Sequence, residues 1–180
     1  WAALPSVTAT AKPAWKPLAG HLAGEGQSVA FEPVEISSKK TLSAARFRDL
    51  LETLGLNYLK ADETGDPTRC AWTEIGAFDK HGHDEGKKLA WRIEEQLADV
   101  AHRVDALIAA GWTRIRVLTD HGWLMLPGGL PKLDLPKHLT SSKWGRCATP
   151  TAGAQHAYPE TPWFWENALP MVLAPGIACF

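Results

Sequence analysis

Residues 89–111 read LAWRIEEQLADVAHRVDALIAAG, and this stretch decides the predicted fold. Its apolar residues recur every three or four positions with charged residues between them, which is the period of an amphipathic α-helix. They are Ile93, Leu97, Val100, Ala101, Val104, Leu107 and Ile108. The glycine at position 111 is typical of a helix end, because glycine adopts the left-handed conformation without steric cost. The pattern therefore predicts a helix over residues 89–110.

Short apolar segments lie on both sides of this helix. Residues 70–78 precede it and residues 114–118 follow it, and both are typical of buried strands bounded by turn residues. A strand, a long amphipathic helix and a second strand predict a βαβ unit, in which the strands are parallel and the helix packs across one sheet face. The sequence therefore predicts an α/β fold, and since no repeat or boundary interrupts residues 1–180, we expect a single domain.

The rest of the chain contains fewer regular patterns. Apolar residues at helical spacing predict a helix over residues 43–54, and residues 171–173 are apolar enough for one more buried strand. Proline, glycine and small or polar residues predict loops over residues 1–26, 60–69 and 126–139. The aromatic stretch at 163–165 is expected to pack against the edge of the domain, with a protein interface as the alternative.

The composition excludes several classes of protein. Of 180 residues, 45% are hydrophobic and 22% are charged, and the formal net charge is -1, so neither disorder nor a broad electrostatic grip on nucleic acid is indicated. Three scattered cysteines without a C-x-x-C pair indicate thiols in a reducing cytosol rather than a disulfide framework. No phosphate-binding P-loop occurs, and the apolar residues 168–180 are too few and contain too much proline to span a membrane.

Two constellations of aspartate and histidine follow the predicted strands. Asp79 and His83 come after residues 70–78, four positions apart, so a helical turn would place them on the same side. Asp120 and His121 come after residues 114–118, where a glycine permits a sharp turn. Because ligands of α/β sheets bind beyond the carboxyl ends of the strands, both pairs are expected in one crevice. Their donor atoms suit zinc or manganese, although each pair alone is also typical of a surface turn.

A hydroxyl nucleophile is available in the small-residue segment near the start of the chain. Thr8 lies there, and Ser6 and Thr10 are competitors that residue type alone does not remove. A threonine hydroxyl becomes an effective nucleophile only when a base or a metal removes its proton. Without such a partner, Thr8 would be an ordinary solvated turn residue.

These motifs resemble the alkaline phosphatase superfamily. The Asp79–His83 spacing, followed by TDHG at 119–122, is similar to its metal-binding pattern, and the turn from Pro5 to Thr8 resembles the nucleophile loop of its nucleotide pyrophosphatase and phosphodiesterase branch. A more specific resemblance is to the PglZ family, the phosphatases of BREX bacteriophage-resistance systems. It covers nearly the whole chain and rests on LPSVTAT (4–10), TEIG (73–76), WGRCA (144–148) and above all TDHGWLMLPGGLPK (119–132).

The resemblance implies a fold, an activity and site residues. The fold would be alkaline-phosphatase-like, with a mostly parallel sheet and helices on both faces. Asp79 and His83 would bind one divalent metal ion, zinc or alternatively manganese, and Asp120 and His121 would bind a second that also contacts Thr8. Thr8 would attack phosphorus, so the intact parent would be a metal-dependent phosphatase or phosphodiesterase. Three basic residues are candidates for steadying phosphate charge, with structural or surface contacts expected of at least two: Arg146, Lys132 and Lys137.

The resemblance also implies what the chain lacks. The family pattern has an aspartate on an early strand before the nucleophile and a histidine beyond the segment that matches residues 171–180. We therefore expect a fragment cut at both ends, with one ligand missing from each metal site and little activity of its own. The parent would be cytoplasmic, with no membrane association, and would act on a phosphate ester (nucleic acid and nucleotides included) alongside other BREX proteins. The alternative function is a noncatalytic scaffold of a phage-defence complex.

Overall fold

The computed structural model describes residues 3–4, 7–24, 33–136, 139–166 and 169–180. It is a mixed α/β structure of helices and small sheets, in which one pair of strands is parallel. Internal contacts divide the chain into two compact units, a first unit of Trp1–Ser43 with Thr119–Phe180 and a second unit of Ala44–Leu118. The single domain expected over residues 1–180 stays a prediction.

The first unit opens with short elements rather than the loop predicted over residues 1–26. Two one-turn helices, α1 (Thr8–Ala11) and α2 (Lys16–Ala19), precede strand β1 (Leu22–Ala23), which pairs antiparallel with β2 (Val34–Glu35). Pro17 stands in the first turn of α2. The loop prediction was wrong here because proline is tolerated in a first helical turn, where its missing N–H would have no intrahelical partner.

The second unit begins with a helix and a parallel pair of strands. Helix α3 (Ala44–Thr53) confirms the helix predicted over residues 43–54, and its buried residues are Phe47, Leu50 and Leu51. Strands β3 (Leu56–Leu59) and β4 (Cys70–Thr73) follow and pair in parallel. The ring of Phe47 lies 5.6 Å from that of Trp72 in an edge-to-face contact, which packs α3 against β4.

A short helix and a long helix complete the second unit. Helix α4 (Phe78–Glu85) leads through a 3₁₀ turn (Gly86–Lys88) into α5 (Leu89–Ala109), which confirms the helix predicted over residues 89–110. The buried residues of α5 are Leu89, Gln96, Arg103 and Leu107. The exposed residues of its predicted apolar stripe include Ile93, Leu97 and Ile108. The buried face of α5 therefore differs from its apolar stripe. It includes two polar side chains, Gln96 and Arg103, which form hydrogen bonds within the unit.

Arg103 holds the connection between the two parallel strands. The residue is 6% exposed, and its Nη2 donates to the carbonyl oxygens of Lys60 (3.2 Å) and Glu63 (2.6 Å) and to Oγ1 of Thr73 (3.1 Å). Residues 60–69 form the loop that was predicted. Parallel strands are usually joined by a longer crossover, commonly a helix. Here the short loop is fixed by one guanidinium, which satisfies two of its carbonyl groups.

The strand predicted over residues 70–78 is shorter than expected. It ends at Thr73, and Phe78 already begins α4. Gly76 lies between them with a φ of 94°, a left-handed conformation that interrupts the extended backbone. The apolar character of residues 77 and 78 therefore belongs to the start of a helix and not to a strand.

The strand predicted over residues 114–118 is absent, so the predicted parallel pairing of this segment with residues 70–78 is wrong. The segment has no regular structure, and Ile115, Val117 and Leu118 are 37%, 64% and 51% exposed. Strand formation depends on a partner edge more than on the residues of the strand itself. Within the described ranges β4 pairs with β3 alone, a strand that the sequence pattern did not indicate.

The largest sheet lies in the first unit and is antiparallel throughout. Strands β5 (Thr140–Trp144), β6 (Cys147–Pro150), β7 (Glu160–Pro162) and β8 (Pro170–Leu173) form it in the order β5-β6-β8-β7. Strand β8 confirms the strand predicted over residues 171–173. The connection at residues 145–146 is so short that it can join only antiparallel strands. Among the named strands of the described residues, parallel pairing is confined to β3 and β4.

The core of this antiparallel sheet centres on Trp163, which was expected at an edge. Trp163 is 1% exposed and packs with the buried Cys147 and Met171. Partly buried apolar residues surround this cluster: Leu4, Trp165, Leu169 and Leu173. Phe164, between the two tryptophans, is 48% exposed. Trp163 therefore points into the core, and the next residue, Phe164, points towards solvent.

The loop predicted over residues 126–139 is ordered by backbone hydrogen bonds where the structure describes it. The amide of Leu133 donates to the carbonyl of Cys179 at 2.7 Å, and the amide of Cys179 donates to the carbonyl of Pro131 at 2.8 Å. Leu135 is 2% exposed and anchors the loop in the unit.

Among the helices of the described residues, none has the length and apolar composition that a membrane span requires.

Candidate functional site

Thr8 and His121 lie together although 113 residues separate them in sequence. The hydroxyl oxygen Oγ1 of Thr8 is 3.4 Å from Nε2 of His121. Thr8 is exposed at the start of α1, where Val7 is still extended with φ -126° and ψ 157°. The contact places an imidazole nitrogen beside a solvent-accessible hydroxyl.

The structure distinguishes Thr8 from Thr10, its competitor. Thr10 is 1% exposed, and its hydroxyl donates to the carbonyl of Val7 at 3.1 Å. A buried hydroxyl engaged with the backbone is not available to a substrate. Ser6, the other competitor, lies outside the described residues. Thr8 is therefore the accessible hydroxyl of this segment among the residues that the structure describes.

Asp120 stands next to His121 and contacts its backbone. Its Oδ1 accepts a hydrogen bond from the amide of His121 at 3.0 Å, and both residues are half-buried. The predicted reason for their convergence was the end of a strand, and no strand is present there. The Asp120 carboxylate thus makes a local contact with the amide of the next residue, which fixes the carboxylate relative to the backbone of His121.

Asp79 and His83 form the second pair, one helical turn apart on α4. Oδ1 of Asp79 lies 3.6 Å from Nε2 of His83, and their side chains are 50% and 72% exposed. The prediction that a helical turn places them on the same side is confirmed. The amide of Ala77, immediately before α4, donates to Oε1 of Gln96 at 2.7 Å. Gln96 thereby ties the start of the helix that carries this pair to α5.

His81, which lies between Asp79 and His83 in sequence, has a partner of its own. Its Nδ1 lies 3.1 Å from Oε1 of Glu85, and the other carboxylate oxygen of Glu85 lies 3.5 Å from Nε of Arg92. Desolvation alone would raise the pKa of Glu85, but the Arg92 and His81 contacts outweigh it and hold that pKa below its ordinary value. His81 is thus engaged in a separate charged cluster on the surface.

The Asp79–His83 and Asp120–His121 pairs each have a carboxylate oxygen and an imidazole nitrogen, which are donor types that zinc and manganese bind. Zinc–oxygen and zinc–nitrogen bonds are about 2.0–2.1 Å long, so two donors on one tetrahedral zinc ion lie about 3.3 Å apart. The separation of 3.6 Å in the Asp79–His83 pair is close to this value. Among the described residues, no three His, Cys, Asp or Glu side chains gather as a metal-binding group. Each pair therefore offers two donor atoms.

The two pairs belong to different units. Thr8, Asp120 and His121 lie in the first unit, and Asp79 and His83 lie in the second. The single crevice that was expected to hold all five residues stays a prediction.

The basic residues proposed to steady phosphate charge have structural contacts where they are described. Nη2 of Arg146 donates to the carbonyl oxygens of Ala174 (3.2 Å) and Gly176. Lys132 forms an isolated parallel bridge with Cys179 through its backbone. Lys137 lies outside the described residues. The contacts of Arg146 match the structural alternative, because its guanidinium closes the turn after β8.

Two tryptophans contact the Thr8 segment and were not recognised as part of the site in the sequence. Nε1 of Trp163 donates to the carbonyl of Leu4 at 2.7 Å, and Nε1 of Trp165 donates to the carbonyl of Thr10 at 3.1 Å. The acceptors are backbone carbonyl oxygens, which every residue has. The side chains at positions 4 and 10 therefore do not predict these hydrogen bonds. The alternation of Trp163 and Trp165 around Phe164 was the only available signal.

Thiol chemistry is not available at the buried cysteine. Burial raises the pKa of Cys147 to about 12, so the thiol stays protonated at neutral pH and is a poor nucleophile. All three cysteines are free: Cys70 is exposed, Cys147 is buried and Cys179 is half-buried.

Comparisons of the chain with protein-family models, with curated proteins and with solved structures found no match.

Proposed function

We propose that this chain carries the nucleophile and metal ligands of a phosphoric ester hydrolase, a phosphatase or phosphodiesterase of the PglZ type. The fold of the intact protein would be alkaline-phosphatase-like, and the parallel pairing of β3 with β4 supports such a sheet. The protein would act in the cytoplasm in bacteriophage defence, together with other BREX proteins. Its substrate would be a phosphate ester, with nucleic acids and nucleotides in that class.

The observation that carries the proposal is the contact between Thr8 and His121. A hydroxyl and an imidazole from segments 113 residues apart lie 3.4 Å from each other, in an exposed position. A purely structural threonine would be expected to bond its own turn, as Thr10 does with Val7. The motifs around both residues, at 4–10 and 119–132, are also the segments that carry the resemblance to the PglZ family.

The chain's residues would divide the chemistry as follows. The Thr8 hydroxyl gives up its proton as Oγ1 forms a bond to phosphorus, the bond between phosphorus and the ester oxygen breaks, and the leaving oxygen takes up a proton to become the alcohol. Water then cleaves the phosphothreonine and restores the hydroxyl. Asp120 with His121, and Asp79 with His83, would each hold one divalent cation, zinc or alternatively manganese. Such cations supply stabilisation of the charge on the phosphoryl oxygens.

The test is the hydrolysis of a nitrophenyl phosphodiester by the full-length protein and by two variants at position 8. Thr8→Val keeps the shape of the side chain and removes the hydroxyl, so we expect a loss on the order of a thousandfold or more in kcat. Thr8→Ser is the matched control, because it keeps a hydroxyl, and we expect it to retain activity within about tenfold of the parent. Metal content is measured on the same samples by mass spectrometry.

The outcomes separate the two functions. Hydrolysis that survives Thr8→Val would remove Thr8 from the reaction. A full-length protein that binds no divalent metal and hydrolyses no phosphoester would favour the noncatalytic scaffold of a phage-defence complex instead.

A further inference from the structure

Trp163 fixes the chain on one side of Thr8. Its ring is almost completely buried in the core of the antiparallel sheet, against Cys147 and Met171. From this position Nε1 donates to the carbonyl of Leu4 at 2.7 Å. Trp163 and Leu4 are 159 residues apart in sequence, so the bond ties the start of the chain to the sheet core.

Trp165 fixes the chain on the other side of Thr8. Its Nε1 donates to the carbonyl of Thr10 at 3.1 Å, across 155 residues. The ring is half-buried and meets the ring of Phe164 edge to face, with the centroids 5.0 Å apart. Thr10 is itself 1% exposed, so this end of the segment is held by burial as well as by the bond.

We propose that Trp163 and Trp165 are positioning residues for Thr8, which hold its hydroxyl beside Nε2 of His121. The two indoles bond to Leu4 and Thr10, on either side of Thr8, and neither bond involves the Thr8 side chain. The hydroxyl therefore stays exposed for a substrate while the backbone on both sides of it is held. This inference rests on the proposed function for its catalytic consequence, and on the two hydrogen bonds for its structural part.

An indole suits this task for two physical reasons. It has a single N–H donor on a large rigid ring, so a buried ring aims the donor with little conformational freedom. Reaction rates are also sensitive to small displacements, since a shift of about 1 Å in a reacting group can cost about a hundredfold in rate. A loosened Thr8 segment would therefore lower kcat, while substrate binding by other groups would change less.

The primary test replaces Trp165 with phenylalanine, which keeps an aromatic ring and removes the donor. The matched control is Trp112→Phe, because Trp112 is also half-buried and donates Nε1 to a backbone carbonyl, that of Thr64 at 2.7 Å, in the second unit. In the full-length protein we expect Trp165→Phe to lower kcat about tenfold with KM within about twofold, and Trp112→Phe to leave both unchanged.

A second measurement does not depend on catalysis. Nuclear Overhauser contacts between the Thr8 side chain and the His121 ring are recorded in the wild type and in both variants. We expect the contact in the wild type and in Trp112→Phe, and its weakening or loss in Trp165→Phe. If the wild type hydrolyses nothing, the proposed function fails and this measurement still decides whether the indole positions Thr8.

Trp163→Phe provides a further variant on the other side of the segment. It removes the bond to Leu4 and is expected to weaken the same contact, with a lower melting temperature because the core loses volume. The proposal is overturned if the Thr8–His121 contact is as strong in Trp165→Phe as in the wild type. It is also overturned if the contact disappears and kcat stays at the wild-type value.

Discussion

The Asp79–His83 pair and the Thr8–His121 pair reach similar separations, 3.6 and 3.4 Å, by different routes. The first is local, since both residues lie one turn apart on α4 and are largely exposed. The second joins two segments 113 residues apart, and the Thr8 segment is hydrogen-bonded to the distant Trp165. A local pair is thus fixed by spacing, whereas a long-range pair is fixed by the packing of the unit around it.

The largest expected effect comes from changing the charge beside the long-range pair without changing its geometry. Asp120→Asn keeps an oxygen that can accept the hydrogen bond from the His121 amide, so the fold and melting temperature should stay the same. It removes the negative charge that would hold a divalent cation. In the full-length protein we expect phosphodiester hydrolysis to fall on the order of a thousandfold or more, with reduced metal content.

Asp134→Asn is the control for this prediction, since Asp134 lies in the same unit and its recorded contact, with the hydroxyl of Tyr158 at 2.8 Å, is made by its backbone carbonyl. Its activity should equal that of the parent. Hydrolysis by Asp120→Asn at the parental rate would show that this carboxylate does not serve the reaction.

The local elements of the fold were the ones that sequence periodicity predicted. Helices α3 and α5 form where apolar residues recur at helical spacing. The face that α5 buries was not predictable from hydrophobicity, because Gln96 and Arg103 are buried through hydrogen bonds to backbone groups of other segments. The missing strand at 114–118 has the same cause, since pairing requires an edge that the segment's own residues do not specify.

The candidate site also has one part that the sequence predicted and another part that it did not. The spacing of Asp79 and His83 was sufficient to predict that they lie on one side of a turn. The association of Thr8 with His121 came from the family resemblance alone, and the tryptophan bonds were not predicted. Such bonds end on carbonyl oxygens, which are common to every residue, so only the folded chain reveals them.

A loss of stability of intermediate size is expected when Gln96 is replaced, because Gln96 is bonded to the start of α4, the helix that carries the Asp79–His83 pair. Gln96 is 5% exposed and accepts the hydrogen bond of the Ala77 amide, which precedes α4. Gln96→Leu keeps the helix propensity of α5 and leaves that amide without its acceptor, so we expect a loss of about 1–2 kcal/mol in the free energy of unfolding. Amide exchange in α4 should accelerate, while exchange around Thr8 should not change.

Glu94→Leu is the control for this variant, since it places the same side chain at an exposed position of the same helix. Its unfolding midpoint in urea should stay close to that of the wild type. Equal stability of Gln96→Leu and Glu94→Leu would show that the hydrogen bond between Gln96 and the Ala77 amide does not stabilise the protein. The position of the Asp79–His83 pair would then depend on α4 alone.

The smallest effect is expected from the direct interaction within the Asp79–His83 pair. Both side chains are at least half exposed, so water and salt screen the attraction that exists when His83 is protonated, and exposed ion pairs of this spacing contribute about 0.3–0.5 kcal/mol. A double-mutant cycle with Asp79→Asn, His83→Gln and the combined variant measures this coupling by urea unfolding at mildly acidic pH, where histidine side chains are protonated, at low salt and at high salt. We expect a coupling in the stated range at low salt and none at high salt, since only a screened electrostatic attraction disappears in this way. A larger coupling that survives high salt would mean that contacts other than the i,i+4 attraction on α4 hold Asp79 and His83 together. The pair would then depend on packing, as the Thr8–His121 pair does.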